Sequence, residues 1–348
     1  MKLRCCIAVA LLTVSTGCGS DTKSDADFQN DIVGGIHDLL LSSVTQLHQA
    51  TLDLQAAAPE PSGRGWSASA DQAAILAMKD AWVRARKAWE PAEGVLAPLF
   101  PEIDGPMDSR YEDYLQASGP DNDLFDGSGV TGMHAIERIL FAPDTPADVV
   151  ARESQVAGYK AAAWPQNQQE AAEFKTGLCQ QLVKDSQSLV DKWAPKAIDL
   201  RFAFQGLTGL MNEQEEKLSL AANHEEESRY AQRTLADLRD NLSGTKKIYA
   251  LFVPWVDTKS NGHAINMDVE IAFDRLDQTY STVTGDAIPP PPPTWDSAKP
   301  SPDDQGTPFG VLYVSVVQEV DATRPGSAVD SMNHAAEVLG LPEFTGQN

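Results

Sequence analysis

Residues 234–252 read Thr234-Leu235-Ala236-Asp237-Leu238-Arg239-Asp240-Asn241-Leu242-Ser243-Gly244-Thr245-Lys246-Lys247-Ile248-Tyr249-Ala250-Leu251-Phe252. Leu235, Leu238, Leu242, Thr245, Tyr249 and Phe252 recur every three or four positions over about five turns, which predicts a long helix with one apolar stripe. Ile75, Met78, Trp82, Ala85 and Trp89 keep the same spacing, as do Ile36, Leu40, Leu47 and Leu54. Weaker versions cover 168–193, 206–223, 263–283 and a last helix near 327–339. Single stripes of this kind bury themselves against other helices, so the chain reads as all-α, two consecutive four-helix bundles over 28–197 and 198–348.

Prolines punctuate these helices at Pro59-Glu60-Pro61, Ser118-Gly119-Pro120, Pro143–Pro146 and Trp193-Ala194-Pro195. The largest interruption is 287–308, with five successive prolines at 289–293, which predicts a stiff, exposed excursion inside the second bundle. Residues 309–317 resemble a strand, although Leu312, Val316 and Val320 also fit a helix.

The chain has 348 residues, 27 Lys and Arg against 50 Asp and Glu, and a formal charge of −23. That balance excludes nucleic acid as a partner, because neutralising phosphates takes clustered Lys and Arg. Lys2 and Arg4 precede a short apolar run, Cys5–Val14, and then Ser15-Thr16-Gly17-Cys18. Ten apolar residues are too few to span a bilayer, so 1–17 reads as a secretory signal. The small residues before Cys18 resemble a bacterial lipoprotein cleavage site, although Ser15 departs from the usual aliphatic residue. Cys18 is then the lipidated end, 18–27 a polar tether, and the location the cell envelope, in the periplasm or at the outer membrane. Cys179 is the one cysteine outside the signal and the anchor, and its neighbours Leu178 and Leu182 mark it as a core thiol.

The chemistry concentrates between residues 86 and 137. In Gly132-Met133-His134-Ala135-Ile136-Glu137, His134 and Glu137 share a helix face, and imidazole with carboxylate suits iron, zinc or copper(II). The same spacing recurs at His224–Glu227 and His334–Glu337, so by itself it selects none of the three. Upstream, Arg86, Glu90 and Glu93 share a face beside Trp82 and Trp89, and Pro91 predicts a kink by leaving the Lys87 carbonyl without a donor. Asp104, Asp108, Arg110 and Asp113 follow in a loop-like stretch, 101–113. Two-metal bundles use Glu-x-x-His twice, and this chain has none, which predicts one metal ion. Asp121-Asn122-Asp123-Leu124-Phe125-Asp126-Gly127 approximates a calcium loop with its glycine one position late, and Glu225-Glu226-Glu227 reads as a solvated helix boundary.

Taken in order, Ala81–Glu93, Asp108-Ser109-Arg110 and Gly132-x-His134-x-x-Glu137 resemble the imelysin-like family, which includes EfeO/EfeM-type periplasmic proteins of ferrous-iron uptake. Thr234–Gly244 is similar to that family's second-domain helix, whereas Gln232, where a His is expected, and the polyproline excursion depart from it. The resemblance implies His134 and Glu137 as metal ligands, then Glu90, then Asp108 and Glu93, with Arg110 and Arg86 behind them holding carboxylates. It implies capture of a divalent or trivalent ion, iron foremost with zinc and copper as alternatives, for a membrane permease or other uptake partner. The family has also been described as metallopeptidase-like. A zinc protease needs three ligands, an open position and a base, as in His-Glu-x-x-His, and the chain lacks that motif. A surface interaction or polysaccharide-binding protein with a structural His134–Glu137 pair is the remaining alternative.

Overall fold

The computed structural model describes residues 23–346. The expected signal, Cys18 and the first half of the tether, 18–22, lie outside the described residues, and the tether's last three residues, 25–27, already belong to the first helix. Among the described residues the regular structure is helical: α1 Asp25–Ala57, α2 Gln72–Trp89, α3 Glu93–Leu99, α4 Pro101–Asp108, α5 Tyr111–Ser118, α6 Gly132–Leu140, α7 Ala147–Glu153, α8 Gln168–Glu173 and α9 Cys179–Trp193. The second half continues with α10 Leu200–Ala221, α11 Thr234–Val256, α12 Gly262–Ser281, α13 Pro302–Gln305, α14 Pro308–Val320 and α15 Ala328–Leu339. None of these helices is long and apolar enough to cross a membrane.

The stripes predicted from spacing are the buried faces. On α2, Ile75, Met78, Trp82, Ala85 and Trp89 are all buried, and on α11 so are Leu235, Leu238, Leu242, Thr245, Tyr249 and Phe252. Truncating a fully buried Trp such as Trp82 to Ala costs about 3–5 kcal/mol on that account. Helices α1, α2, α6 and α9 pack together, and α10, α11, α12, α14 and α15 form a second group. The groups are not separate bodies, because α3 lies along α10 and α1 also meets α11. A single apolar core runs through both.

Three expectations change. Residues 309–317 belong to a helix: Thr307 caps it by accepting from the Gly310 amide at 3.1 Å, Pro308 opens it, and Leu312, Val316 and Val320 are its buried stripe. The stretch 101–113 is α4 and the start of α5, with Pro101 placed at the first turn, where a missing N–H is harmless. The polyproline excursion is not free of the core, since Ile288 is buried and Trp295 packs edge-on against Phe309 and Tyr313, at 4.8 and 4.9 Å between ring centres.

Candidate metal centre

Pro91 ends α2 at Trp89, and the chain makes one 3₁₀ turn, Glu90–Ala92, before α3. That turn lies against α11 at Gly244, where a Cβ would fall 2.0 Å from the Pro91 carbonyl oxygen, so only glycine permits the approach. One turn earlier on α11, Asn241 Nδ2 donates to the Glu90 carbonyl at 3.0 Å, Glu90 Oε2 at 2.7 Å and Glu93 Oε2 at 2.9 Å. The kink therefore turns two buried carboxylates towards the second half of the chain.

A second glycine sets the imidazole. Gly132 has φ +88°, and a Cβ there would lie 2.4 Å from the carbonyl oxygens of Pro106 and Met107. It lets the start of α6 abut the end of α4, which brings His134 to Asp108. His134 Nε2 is 3.2 Å from Asp108 Oδ1, and Nδ1 is 2.8 Å from Glu137 Oε2. The other Glu137 oxygen accepts from the Ala231 amide at 2.8 Å. Glu137 thus stands behind the ring and aims Nε2 forward, as carboxylates do behind metal-binding histidines. Although buried, Nε2 makes no well-directed hydrogen bond.

Asp108 Oδ2 accepts from Trp89 Nε1 at 2.8 Å, and its other oxygen meets Arg86. The Arg86 guanidinium, wholly buried, also contacts Glu90, and reaches Asp237 at 3.4 Å and Glu227 at 3.5 Å. Glu227 comes from the turn-rich segment 222–233 between α10 and α11. One ligand atom from each of Asp108, His134 and Glu227 falls within 4.8 Å of the others. Two carboxylates and an imidazole form a donor set for a borderline cation such as iron or zinc.

Burial opposes each of these charges. It lifts Glu90 to about 8 against the pull of Arg86, and lifts Asp104 and Glu213 to about 7. Burial lifts Glu137 as well. At Asp108 burial is outweighed by Arg86 and His134, which hold the carboxyl well below its ordinary range. Burial and then Arg86 press the His134 imidazole down, but the adjacent Asp108 and Glu137 carboxylates prevail and raise it to about 9. Lys217 brings Glu227 below its ordinary value despite burial. Arg86 and Lys217 stand among the carboxylates of Asp108, Glu227, Glu90, Glu93 and Asp237, and a cation bound beside them would offset the cost of burying those acids in ionised form.

Asp108 and His134 therefore meet as the sequence suggested, with Glu137 behind them and Arg86 beside them. Glu90 and Glu93 lie outside the trio, held by Asn241, Arg86 and Lys217. Arg110 does hold a carboxylate by two bonds, but it is Asp113, at 3.0 and 2.8 Å, and its third contact is the Glu225 carbonyl at 3.0 Å. Its place is against the 222–233 segment and not at the imidazole. In the 121–127 loop, the Asp121 carboxylate accepts from the amides of Asp123 and Val130, and so serves the turn's own backbone.

Sequence reasoning missed Glu227, because a run of three glutamates after His224 resembles a solvated boundary. Its one signal was the company of Ser228, Arg229 and Tyr230, all buried, in a stretch without helical period. Lys217, Asp237 and Asn241 were also missed, since no spacing links α10 and α11 to a motif far upstream.

Residues 36–302 match the family model described as imelysin. The chain belongs to the imelysin family. Among its relatives, the iron uptake system component EfeM of Pseudomonas syringae pv. syringae (strain B728a) is 24% identical over 212 residues, 61% of this chain and 61% of that one. An Efem/EfeO family lipoprotein of Staphylococcus haemolyticus (strain JCSC1435) is 23% identical over 282 residues, 80% of this chain and 85% of that one. An imelysin-like protein from Psychrobacter arcticum 273-4 has the same fold, with a TM-score of 0.54 at 13% identity over 93% of this chain and 98% of that one. The imelysin match ends at the start of α13, yet α14 and α15 pack on α10 and α12 as part of the same core.

Proposed function

We propose that this imelysin-family protein is a lipid-anchored metal-capture component of an iron-uptake system, which binds one ion through Asp108, His134 and Glu227. The single observation that carries the reading is the buried Nε2 of His134, without a well-directed hydrogen bond, 3.2 Å from Asp108 Oδ1 in a trio with Glu227 whose ligand atoms lie within 4.8 Å of one another. Glu137, the second residue of the motif, acts by orienting the imidazole. Glu90, Glu93 and Arg86 set the charge around the trio. The names of the Pseudomonas and Staphylococcus relatives support iron as the cargo and the cell envelope as the location, with Cys18 as the anchor and a membrane permease as recipient. Zinc and copper(II) suit the same donors and are the competitors to test.

Both Glu137 oxygens are engaged, which leaves this carboxylate none with which to activate a water, so capture is favoured over peptide hydrolysis. Anaerobic titration calorimetry with iron(II), and parallel titrations with iron(III), zinc and copper(II), test the assignment on wild type, His134→Ala and Glu227→Gln. Loss of binding in both variants is expected. Equal binding by all three proteins removes the site.

A further inference from the structure

The acidic cluster has an outer half. Glu93 on α3, Glu213 on α10 and Glu227 bring one carboxylate oxygen each to within 4.8 Å of one another, and Glu227 is shared with the inner trio. The outer trio opens to solvent through Glu213, whose side chain is 34% exposed, while Glu93 is as buried as Asp108, at 8%. Its donors are all oxygens, the chemistry of hard divalent cations, whereas the inner trio offers a nitrogen.

An ammonium already stands among these oxygens. Lys217 Nζ lies 3.1 Å from Glu227 Oε2, 3.4 Å from Glu93 Oε2, 3.6 Å from Glu213 Oε1 and 3.8 Å from Glu90 Oε2. Its side chain is 1% exposed. Of these carboxylates only Glu93 accepts a hydrogen bond from it, at 3.4 Å, with Asn241 Oδ1 the other acceptor at 3.4 Å. Glu227 Oε2 accepts none, although water does not reach it. Lys217 therefore works as a compact point charge inside a ring of anions, and not as half of a directed pair. The surrounding acids in turn hold its proton more tightly than usual.

We propose that Lys217 is a tethered cation that fills the outer carboxylate trio and thereby limits the protein to one captured metal ion, at the inner trio. The inference rests on the metal-capture reading. Without the ammonium, Glu93, Glu213 and Glu227 lose their counter-charge, and a second divalent cation takes its place.

Equilibrium dialysis of the full chain against manganese(II), with bound metal counted by elemental analysis and folding checked by circular dichroism, tests this. Wild type and Lys217→Arg should hold one ion, Lys217→Gln two, and the double variant Lys217→Gln/Glu213→Gln one again. If Lys217→Gln does not fold, Lys217→Met keeps the methylene stem and carries the same expectation. One ion in the folded neutral variant overturns the inference, and so do two ions in the wild type. A wild type that takes up none of manganese(II), iron(II) or zinc overturns the capture reading itself, a result distinct from either.

Discussion

Glu137 and Arg138 are neighbours on α6, yet they serve two buried charge clusters of different make. Around Arg138, its guanidinium donates to Glu153 at 3.0, 3.1 and 2.8 Å and stacks 3.9 Å from the Tyr111 ring centre. Arg229 reaches Glu112 at 2.6 Å, and the Tyr230 hydroxyl donates to Glu153. Two guanidinium groups there match two carboxylates. Around Glu137, six carboxylates, those of Glu137, Asp108, Glu227, Glu90, Glu93 and Asp237, outnumber the four cationic partners Arg86, Lys217, Arg233 and His134. The 222–233 segment contributes to both clusters, Glu227 to one and Arg229 with Tyr230 to the other. A matched cluster fastens that segment to α5, α6 and α7. An unmatched one holds charge in reserve for something that arrives from outside.

The largest effects test that difference directly. Arg138→Met and Arg86→Met should each lower stability by about 3–5 kcal/mol in denaturant unfolding, because each strands buried carboxylates. Added divalent cation should recover part of the Arg86→Met loss and none of the Arg138→Met loss. Equal recovery in both would show that the clusters do not differ in their appetite for cations.

Metal affinity comes next. Glu137→Gln should weaken binding by about 10–100-fold in calorimetry, the usual effect of releasing a ligand's orienting partner, and His134→Ala by more. Glu112→Gln, in the matched cluster, keeps an oxygen that accepts from Arg229 and so should weaken affinity far less than Glu137→Gln does.

The two clusters should also shape stability at opposite ends of the pH scale in the metal-free protein. His134 is raised from an ordinary 6.5 to about 9, so its contribution is complete below pH 6.5 and fades as pH rises through 9. Glu153 is pushed up by burial, but Arg138 more than reverses this and holds it below 4.5; its contribution is present above that value and fades as pH falls. Denaturation midpoints measured across pH should show both limbs, and His134→Gln should flatten only the alkaline one.

The smallest effect concerns the repeated spacing. His334 and Glu337 sit exposed on α15, with the His334 ring no closer than 3.9 Å to Asp330. His334→Ala should shift stability by no more than about 0.5 kcal/mol and leave metal binding intact.

The same three-residue step thus has three outcomes. At 134–137 it is buried on a helix whose first glycine permits contact with α4. At 334–337 it faces water. At 224–227 it is not helical, since His224 has φ +59° in a turn. Spacing states which side chains share a face, and it does not state what that face meets. Asp108 was legible because the ordered motifs placed it with His134. Glu227 was not, because its burial depends on the Arg229–Glu112 and Tyr230–Glu153 contacts that tie its segment down.

The linear order of residues determined the helices, their buried stripes, the break at Pro91 and the pairing of His134 with Glu137, since all of these follow from local geometry and the 3.6-residue period. Tertiary structure alone decided that Glu227 and Lys217 join the buried cluster and that Glu90 and Glu93 turn from the imidazole to Asn241. It also settled residues 309–320 as a helix buried against α10. Each of those outcomes depends on which distant segment takes up a charge or an apolar face, and that is a property of packing.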